Sequence, residues 1–89
     1  MPHKPGNEKS IYTREYGVVL RLLKEAREQV GITQIELAAR LGQTQSFVSK
    51  IERGDRRLDI IQLRSILAEF GVTLPDFSVL LEREIAKRH

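Results

Sequence analysis

The sequence predicts an all-α fold of five short helices. Four glycines separate five stretches within residues 10–89, and each stretch repeats apolar residues at the spacing of a helix with one buried face. Glycine commonly ends a helix, because it adopts the left-handed backbone conformation without a Cβ clash. The separating residues are Gly31, Gly42, Gly54 and Gly71.

The first helix should begin at Ser10 or Thr13 and end at Val30. Residues 1–9 hold two prolines and a glycine and lack helical spacing, so we expect a flexible N-terminal arm there, followed by one folded domain over residues 10–89. At about 100° per residue, six apolar side chains share one face of this helix. They are Tyr16, Val19, Leu22, Leu23, Ala26 and Val30.

The second and third helices form a compact pair. The second opens with a capping box, in which Thr33 and Glu36 each bond the backbone of the other. It stops at Gly42 after about eight residues, which is too short to be stable without a packing partner. The third follows an expected N-cap at Thr44 and runs to Arg53.

The third helix has a polar side and an apolar side. Its polar side chains fall between about 0° and 140° on a helical wheel, and its apolar ones between about 200° and 300°. The polar set is Gln45, Ser46, Ser49, Lys50 and Arg53; the apolar set is Phe47, Val48 and Ile51. A short helix, a glycine turn and a second helix with a polar face are typical of a helix-turn-helix, whose second helix enters the DNA major groove.

Two further helices complete the predicted bundle. The fourth begins after Asp59 and ends at Phe70, and the fifth follows Thr73 with a proline in its first turn, where proline is tolerated. The apolar face of the fourth helix is Ile60, Leu63, Ile66, Leu67 and Phe70. The apolar face of the fifth is Phe77, Leu80, Leu81 and Ile85.

Composition restricts the functions open to this chain. It has no cysteine, and its two histidines, His3 and His89, lie at the extreme ends. Disulfides and thiolate chemistry are excluded, and we expect no enzyme activity, no metal and no cofactor. No apolar run approaches the length of a membrane span, so we expect a cytoplasmic protein that makes no membrane contact.

The positive charge is concentrated in one part of the chain. The net charge is +3 and the isoelectric point is near 9.6. Between Arg40 and Arg57 there are five basic residues against two acidic ones. Such a patch is the expected footprint of phosphate contact, with an ordinary solvated surface as the alternative from composition alone.

The motif residues together resemble one known family. They read Thr33-Gln34-x-Glu36-Leu37-Ala38, then Gly42-x-Thr44-Gln45-Ser46-x-Val48-Ser49-Lys50-Ile51-Glu52-Arg53-Gly54. This pattern resembles the phage-repressor/Cro (XRE) helix-turn-helix family, and the likeness extends over about residues 16–81. It implies a five-helix bundle of the lambda-repressor-like DNA-binding type, and a transcription regulator that binds specific sequences of double-stranded DNA.

The resemblance also implies roles for individual side chains. The base-reading positions are Gln45, Ser46 and Lys50, with Ser49 beside them. The phosphate-contacting positions are Gln34 and Thr44, with Arg53, Arg56 and Arg57 on flanking phosphates. Chemistry agrees, because a glutamine amide suits adenine N6 and N7 and a lysine suits guanine O6 and N7. Phe47 should lie partly buried against the fourth helix, with a thymine-methyl contact as the alternative.

One acidic residue of the third helix needs a different account. Glu52 lies at about 340° on the wheel, away from the groove face. The resemblance pairs it with Arg27, at the edge of the apolar face of the first helix. We predict a semi-buried, structural ion pair between these two side chains.

The assembly and the biological role are further expectations from the resemblance. Members of the family usually bind as dimers, which implies a homodimeric repressor on a near-palindromic operator. The candidate dimer interface is Ile61, Phe77, Val79 and Leu80. Two alternatives use the same fold: an antitoxin that binds a toxin protein as well as its operator, and a controller protein of a restriction–modification system.

Overall fold

The computed structural model describes the backbone of residues 5–87 and the side chains of residues 14–87. Five helices follow one another along this part of the chain, which contains no strand, so the all-α prediction is confirmed. They are α1 Pro5–Gln29, α2 Gln34–Leu41, α3 Gln45–Arg53, α4 Ile60–Glu69 and α5 Leu74–Ala86. Within residues 5–87, no helix combines the length and the apolar character that a membrane span requires.

Helix α1 begins earlier than predicted and ends one residue sooner. It starts at Pro5 rather than at Ser10 or Thr13, and the proline does not prevent this because N–H groups in the first turn have no intrahelical acceptor. Residues 1–4 of the predicted arm lie outside the described residues, and the boundary between arm and domain stays a prediction.

The turn after α1 buries Ile32 in place of Val30. The helix ends at Gln29, and Gly31 then adopts a left-handed φ of 76°. This turn leaves Val30 48% exposed and brings Ile32 into the core. The prediction that Val30 lies on the buried face was wrong, because it placed Val30 within the helix, whereas α1 ends at Gln29.

Side-chain caps define where the later helices start. The Thr33 hydroxyl accepts a hydrogen bond from the backbone N–H of Glu36 at 3.0 Å, and the Glu36 carboxylate accepts one from the Thr33 N–H at 2.8 Å. This backbone bond is the main reason that the pKa of Glu36 is lowered. Asp59 and Gln62 form the equivalent box on α4, so the predicted starts of α2 and α4 are confirmed.

A single apolar core joins all five helices. Leu67 of α4 and Val48 of α3 are its most completely buried members, and burial of such a side chain contributes about 1.5–3 kcal/mol. Ala38 of α2 is only 2% exposed, a position where a small residue lets α2 and α3 approach closely. Ile60, the first residue of α4, is 64% exposed, so its predicted place on the buried face was wrong.

The core contains one charged side chain among the residues whose burial is described. Arg27 of α1 donates from Nε to Oε2 of Glu52 at 2.7 Å and from Nη2 to Oε1 at 3.1 Å. Its Nη1 donates to the backbone carbonyl of Ile32 at 2.8 Å. The predicted pair is therefore present and bidentate, and the hydrogen bonds that Arg27 donates to Glu52 raise the pKa of Arg27 above its ordinary value.

A second ion pair ties α5 to α1. The carboxylate of Glu84 accepts hydrogen bonds from Nζ of Lys87 and from Nη2 of Arg21, both at 2.9 Å. These bonds, that from Lys87 first, lower the pKa of Glu84 below its ordinary value of 4.5. The folded state is thus favoured while Glu84 is ionised.

Replacing Glu52 with alanine should destabilise the protein by about 3 kcal/mol, because Arg27 would lose its buried counterion. Urea unfolding followed by circular dichroism measures the loss. Glu25→Ala is the matched control, since Glu25 forms an exposed pair with Arg21; its effect should be much smaller. Equal effects of the two substitutions would contradict a structural role for the buried pair.

Glu84→Gln should make stability less dependent on pH in the acid range. A lowered carboxyl pKa contributes stability that is fully present above the unfolded-state pKa and lost as the pH falls through the folded-state pKa. The free energy of unfolding should therefore fall less between about pH 5 and about pH 3 than in the wild type. Glu82→Gln removes the same formal charge from an exposed position of α5, and parallel curves for all three proteins would refute the prediction.

Candidate nucleic-acid interface

The polar side of α3 faces solvent. Val48 and Ile51 anchor the opposite side of the helix in the core. Of the four predicted base-reading residues, Gln45, Ser46 and Lys50 are exposed and Ser49 is half-buried. Thr44, the predicted phosphate contact at the start of α3, caps the helix by accepting from the backbone N–H of Phe47 at 3.1 Å. Its own O–H remains a donor.

A chain of hydrogen bonds connects this face to the buried ion pair. Nε2 of Gln34 donates to Oε1 of Glu52 at 2.8 Å, and Nε2 of Gln45 donates to Oε1 of Gln34 at 2.7 Å. Since Arg27 donates to the same carboxylate, the series runs from the core to the first residue of α3. We call Arg27, Glu52, Gln34 and Gln45 the polar relay.

The chemistry of Glu52 sets the direction of the polar relay. A carboxylate only accepts hydrogen bonds, so Gln34 must present its NH₂ group to Glu52 and its carbonyl oxygen to Gln45. Gln45 therefore uses one N–H internally and keeps a second N–H and its Oε1 for an external partner. One donor beside one acceptor is the arrangement that pairs with N7 and N6 of adenine.

Arg53 has partners within the protein. Its Nη1 donates to Oγ of Ser49 at 2.7 Å, and its Nε donates to Oδ2 of Asp55 at 3.0 Å. Two residues predicted to contact DNA separately are thus bonded to each other, and an acidic residue lies beside them. The i to i+4 spacing of Ser49 and Arg53 on one helix was a signal for this contact; nothing in the pattern indicated Asp55.

The remaining predicted phosphate contacts lie in the loop after α3. Arg56 and Arg57 are both exposed, and each guanidinium lies over an aromatic ring, Phe47 and Tyr16 respectively. Phe47 is half-buried, as expected, and lines a surface cavity together with residues of α4. Arg40, counted in the basic stretch, lies 3.7 Å from a carboxylate oxygen of Glu69 on α4.

The candidate dimer residues do not all lie on the surface. Ile61 and Val79 are 66% and 57% exposed, and Leu80 is 38% exposed. Phe77 is buried in the core at 3% and is not available to a partner. Its inclusion in the interface was wrong, because the face of α5 that carries it packs inward against the other helices.

The fold and the exposed polar helix define a helix-turn-helix protein. A family model described as helix-turn-helix matches residues 23–77, which include α2, α3, α4 and the start of α5. A helix-turn-helix domain implies binding to double-stranded DNA. The chain belongs to the XRE-type helix-turn-helix family of DNA-binding regulators.

Two similar proteins agree with this assignment. Over 64 residues the chain is 30% identical to Control protein C.MunI from Mycoplasma sp, a match that covers 72% of this chain and 86% of that protein. The solved structure of an XRE-family like protein from Pseudomonas syringae pv. tomato str. DC3000 is 45% identical, with a TM-score of 0.80. The match covers 88% of this chain and 95% of the chain in that structure.

Proposed function

We propose that this regulator represses transcription as a dimer on a near-palindromic operator. In this proposal Gln45, Ser46, Ser49 and Lys50 read base edges in the major groove. The polar relay is the observation that supports base reading, because it leaves Gln45 with the donor and acceptor that adenine requires. Contacts to the DNA phosphates give affinity and register rather than sequence preference. In this proposal they come from Gln34, Thr44, Arg53, Arg56 and Arg57.

One feature supports the dimer. Ile61, Val79 and Leu80 expose apolar surface, and apolar surface outside the core can mark an interface. A two-fold axis would place the α3 helices of the two subunits in successive major grooves, with half-sites about 34 Å apart.

The test is selection from random DNA duplexes near physiological salt, followed by sequencing of the retained DNA. A near-palindromic consensus with half-sites one helical turn apart is the expected result. A single unrepeated half-site would contradict dimeric binding, and retention without any consensus would contradict sequence-specific recognition.

Lys50→Ala should cost about 1–3 kcal/mol of binding free energy and relax the preference at one base pair, because a base-specific donor is lost. Affinities for the selected duplex and its single-base variants measure this. Lys24→Ala removes the same charge from an exposed position of α1 and should not change the preference. If Lys50→Ala weakens every sequence alike, Lys50 contacts phosphate instead of a base.

Asp55→Asn should strengthen binding to DNA of every sequence. It removes a carboxylate from the proposed phosphate-contacting surface and weakens the bond that holds Arg53. The slope of log affinity against log salt should steepen by up to about 0.9, the value for one further phosphate contact. Asp76→Asn on α5 is the charge-matched control, and equal effects of the two substitutions would indicate a general charge effect.

A second candidate role is that of a controller protein of a restriction–modification system. The likeness to Control protein C.MunI favours it. The genes beside the coding sequence distinguish the roles, since a controller is expected next to a methyltransferase and an endonuclease. A genomic neighbourhood without either gene would leave the general repressor role.

A further inference from the structure

The loop between α3 and α4 holds two consecutive arginines against aromatic rings. The guanidinium carbon of Arg56 lies 4.8 Å from the ring centroid of Phe47, and that of Arg57 lies 5.0 Å from the ring centroid of Tyr16. Both distances fall within the range of about 6 Å for cation–π attraction. Because Phe47 belongs to α3 and Tyr16 to α1, the two neighbours are fastened to different helices.

Hydrogen bonds anchor the backbone on both sides of these arginines. The N–H groups of Asp55 and Arg56 both donate to the carbonyl of Lys50, at 2.9 and 3.2 Å. On the other side, the N–H of Leu58 donates to the hydroxyl oxygen of Tyr16 at 3.1 Å. The loop backbone is thus held by α3 at one end and by α1 at the other.

We propose that Phe47 and Tyr16 are positioning residues for binding to the DNA backbone. Their rings hold Arg56 and Arg57 ready, so that the loop meets phosphates as a preorganised pair of guanidinium groups. This inference rests on the proposed function, in which both arginines contact phosphates.

The physical reason lies in the geometry and the entropy of arginine. A guanidinium held over an aromatic ring can still donate N–H groups to phosphate oxygens. An arginine that is free in solution loses rotamer freedom when it is immobilised on binding. When the arginine is already held over a ring, it loses rotamer freedom on folding instead, so that less entropy is lost when the protein binds DNA.

Phe47 offers a clean substitution. Its side chain is half-buried and packs against the core, and it lines a surface cavity together with Leu41, Ile61 and Ile66. Leucine keeps an apolar side chain against the core but removes the aromatic face under Arg56. Tyrosine keeps the face, which makes Phe47→Tyr the conservative variant.

The experiment compares Phe47→Leu, Phe47→Tyr, Arg56→Ala and the double variant Phe47→Leu/Arg56→Ala over a salt series. The probes are the duplex obtained by selection and an unrelated duplex of equal length. Phe47→Leu should weaken both by about 3- to 10-fold with an unchanged salt slope, since the phosphate contact itself remains. Phe47→Tyr should recover most of the affinity, and the double variant should bind as Arg56→Ala does. Thermal unfolding of each variant establishes that it is folded at the temperature of the assay.

Each contrary result has a distinct meaning. If Arg56→Ala leaves the affinity and the salt slope unchanged, the proposed phosphate contact is wrong, and the positioning role falls with it. If Arg56→Ala lowers the slope by about 0.9 while the effect of Phe47→Leu is absent or additive, only the positioning role is wrong. A loss confined to the selected duplex would mean that Phe47 contacts a base. Tyr16→Leu and Arg57→Ala test the second stack. Tyr16→Phe keeps the ring but removes the hydroxyl that accepts from Leu58, so it separates the ring contact from the backbone anchor.

Discussion

Arg27 carries a guanidinium into an otherwise apolar core, and its hydrogen bonds reach Glu52 on α3 and the carbonyl of Ile32 ahead of α2. A buried cation without these partners would be strongly destabilising, so α1, α3 and the turn before α2 must keep the relative positions that complete them. Helices α2 and α3 contain only eight and nine residues, lengths that are not stable in isolation. The ion pair and the surrounding core therefore determine the orientation of the two helices of the helix-turn-helix.

The same ion pair extends to the protein surface. Glu52 accepts from Arg27 on one side and from Gln34 on the other, and Gln34 in turn accepts from Gln45. Each bond fixes which group of the next amide must donate. The Arg27–Glu52 pair, which stabilises the core, therefore also determines which hydrogen-bonding groups the exposed Gln45 side chain has left for a partner. In the proposed function, fold stability and base preference are thus coupled through four residues.

The positive surface is less simple than its net charge suggests. Arg53 bonds Asp55 and Ser49, and the two following arginines, Arg56 and Arg57, stack on aromatic rings. Binding to DNA would exchange some of these internal contacts for phosphate contacts, so their net contribution is smaller than a count of basic residues implies. If these arginines contact phosphates as proposed, the two kinds of contact act in opposite directions: the aromatic rings would prepare Arg56 and Arg57 for binding, whereas Asp55 would compete with phosphate for Arg53.

The sequence by itself determined the five helices, their caps and the polar face of α3. These features depend on residues within about one helical turn of each other, and propensity, capping and periodicity operate over that range. The Arg27–Glu52 pair was expected only from family resemblance, because its members lie 25 residues apart. Only the tertiary structure decided that Val30 is exposed, that Phe77 is buried, and that Tyr16 reaches Leu58 across 42 residues. Such contacts depend on where each helix stops and on which neighbour packs beside it, and no local pattern contains that information.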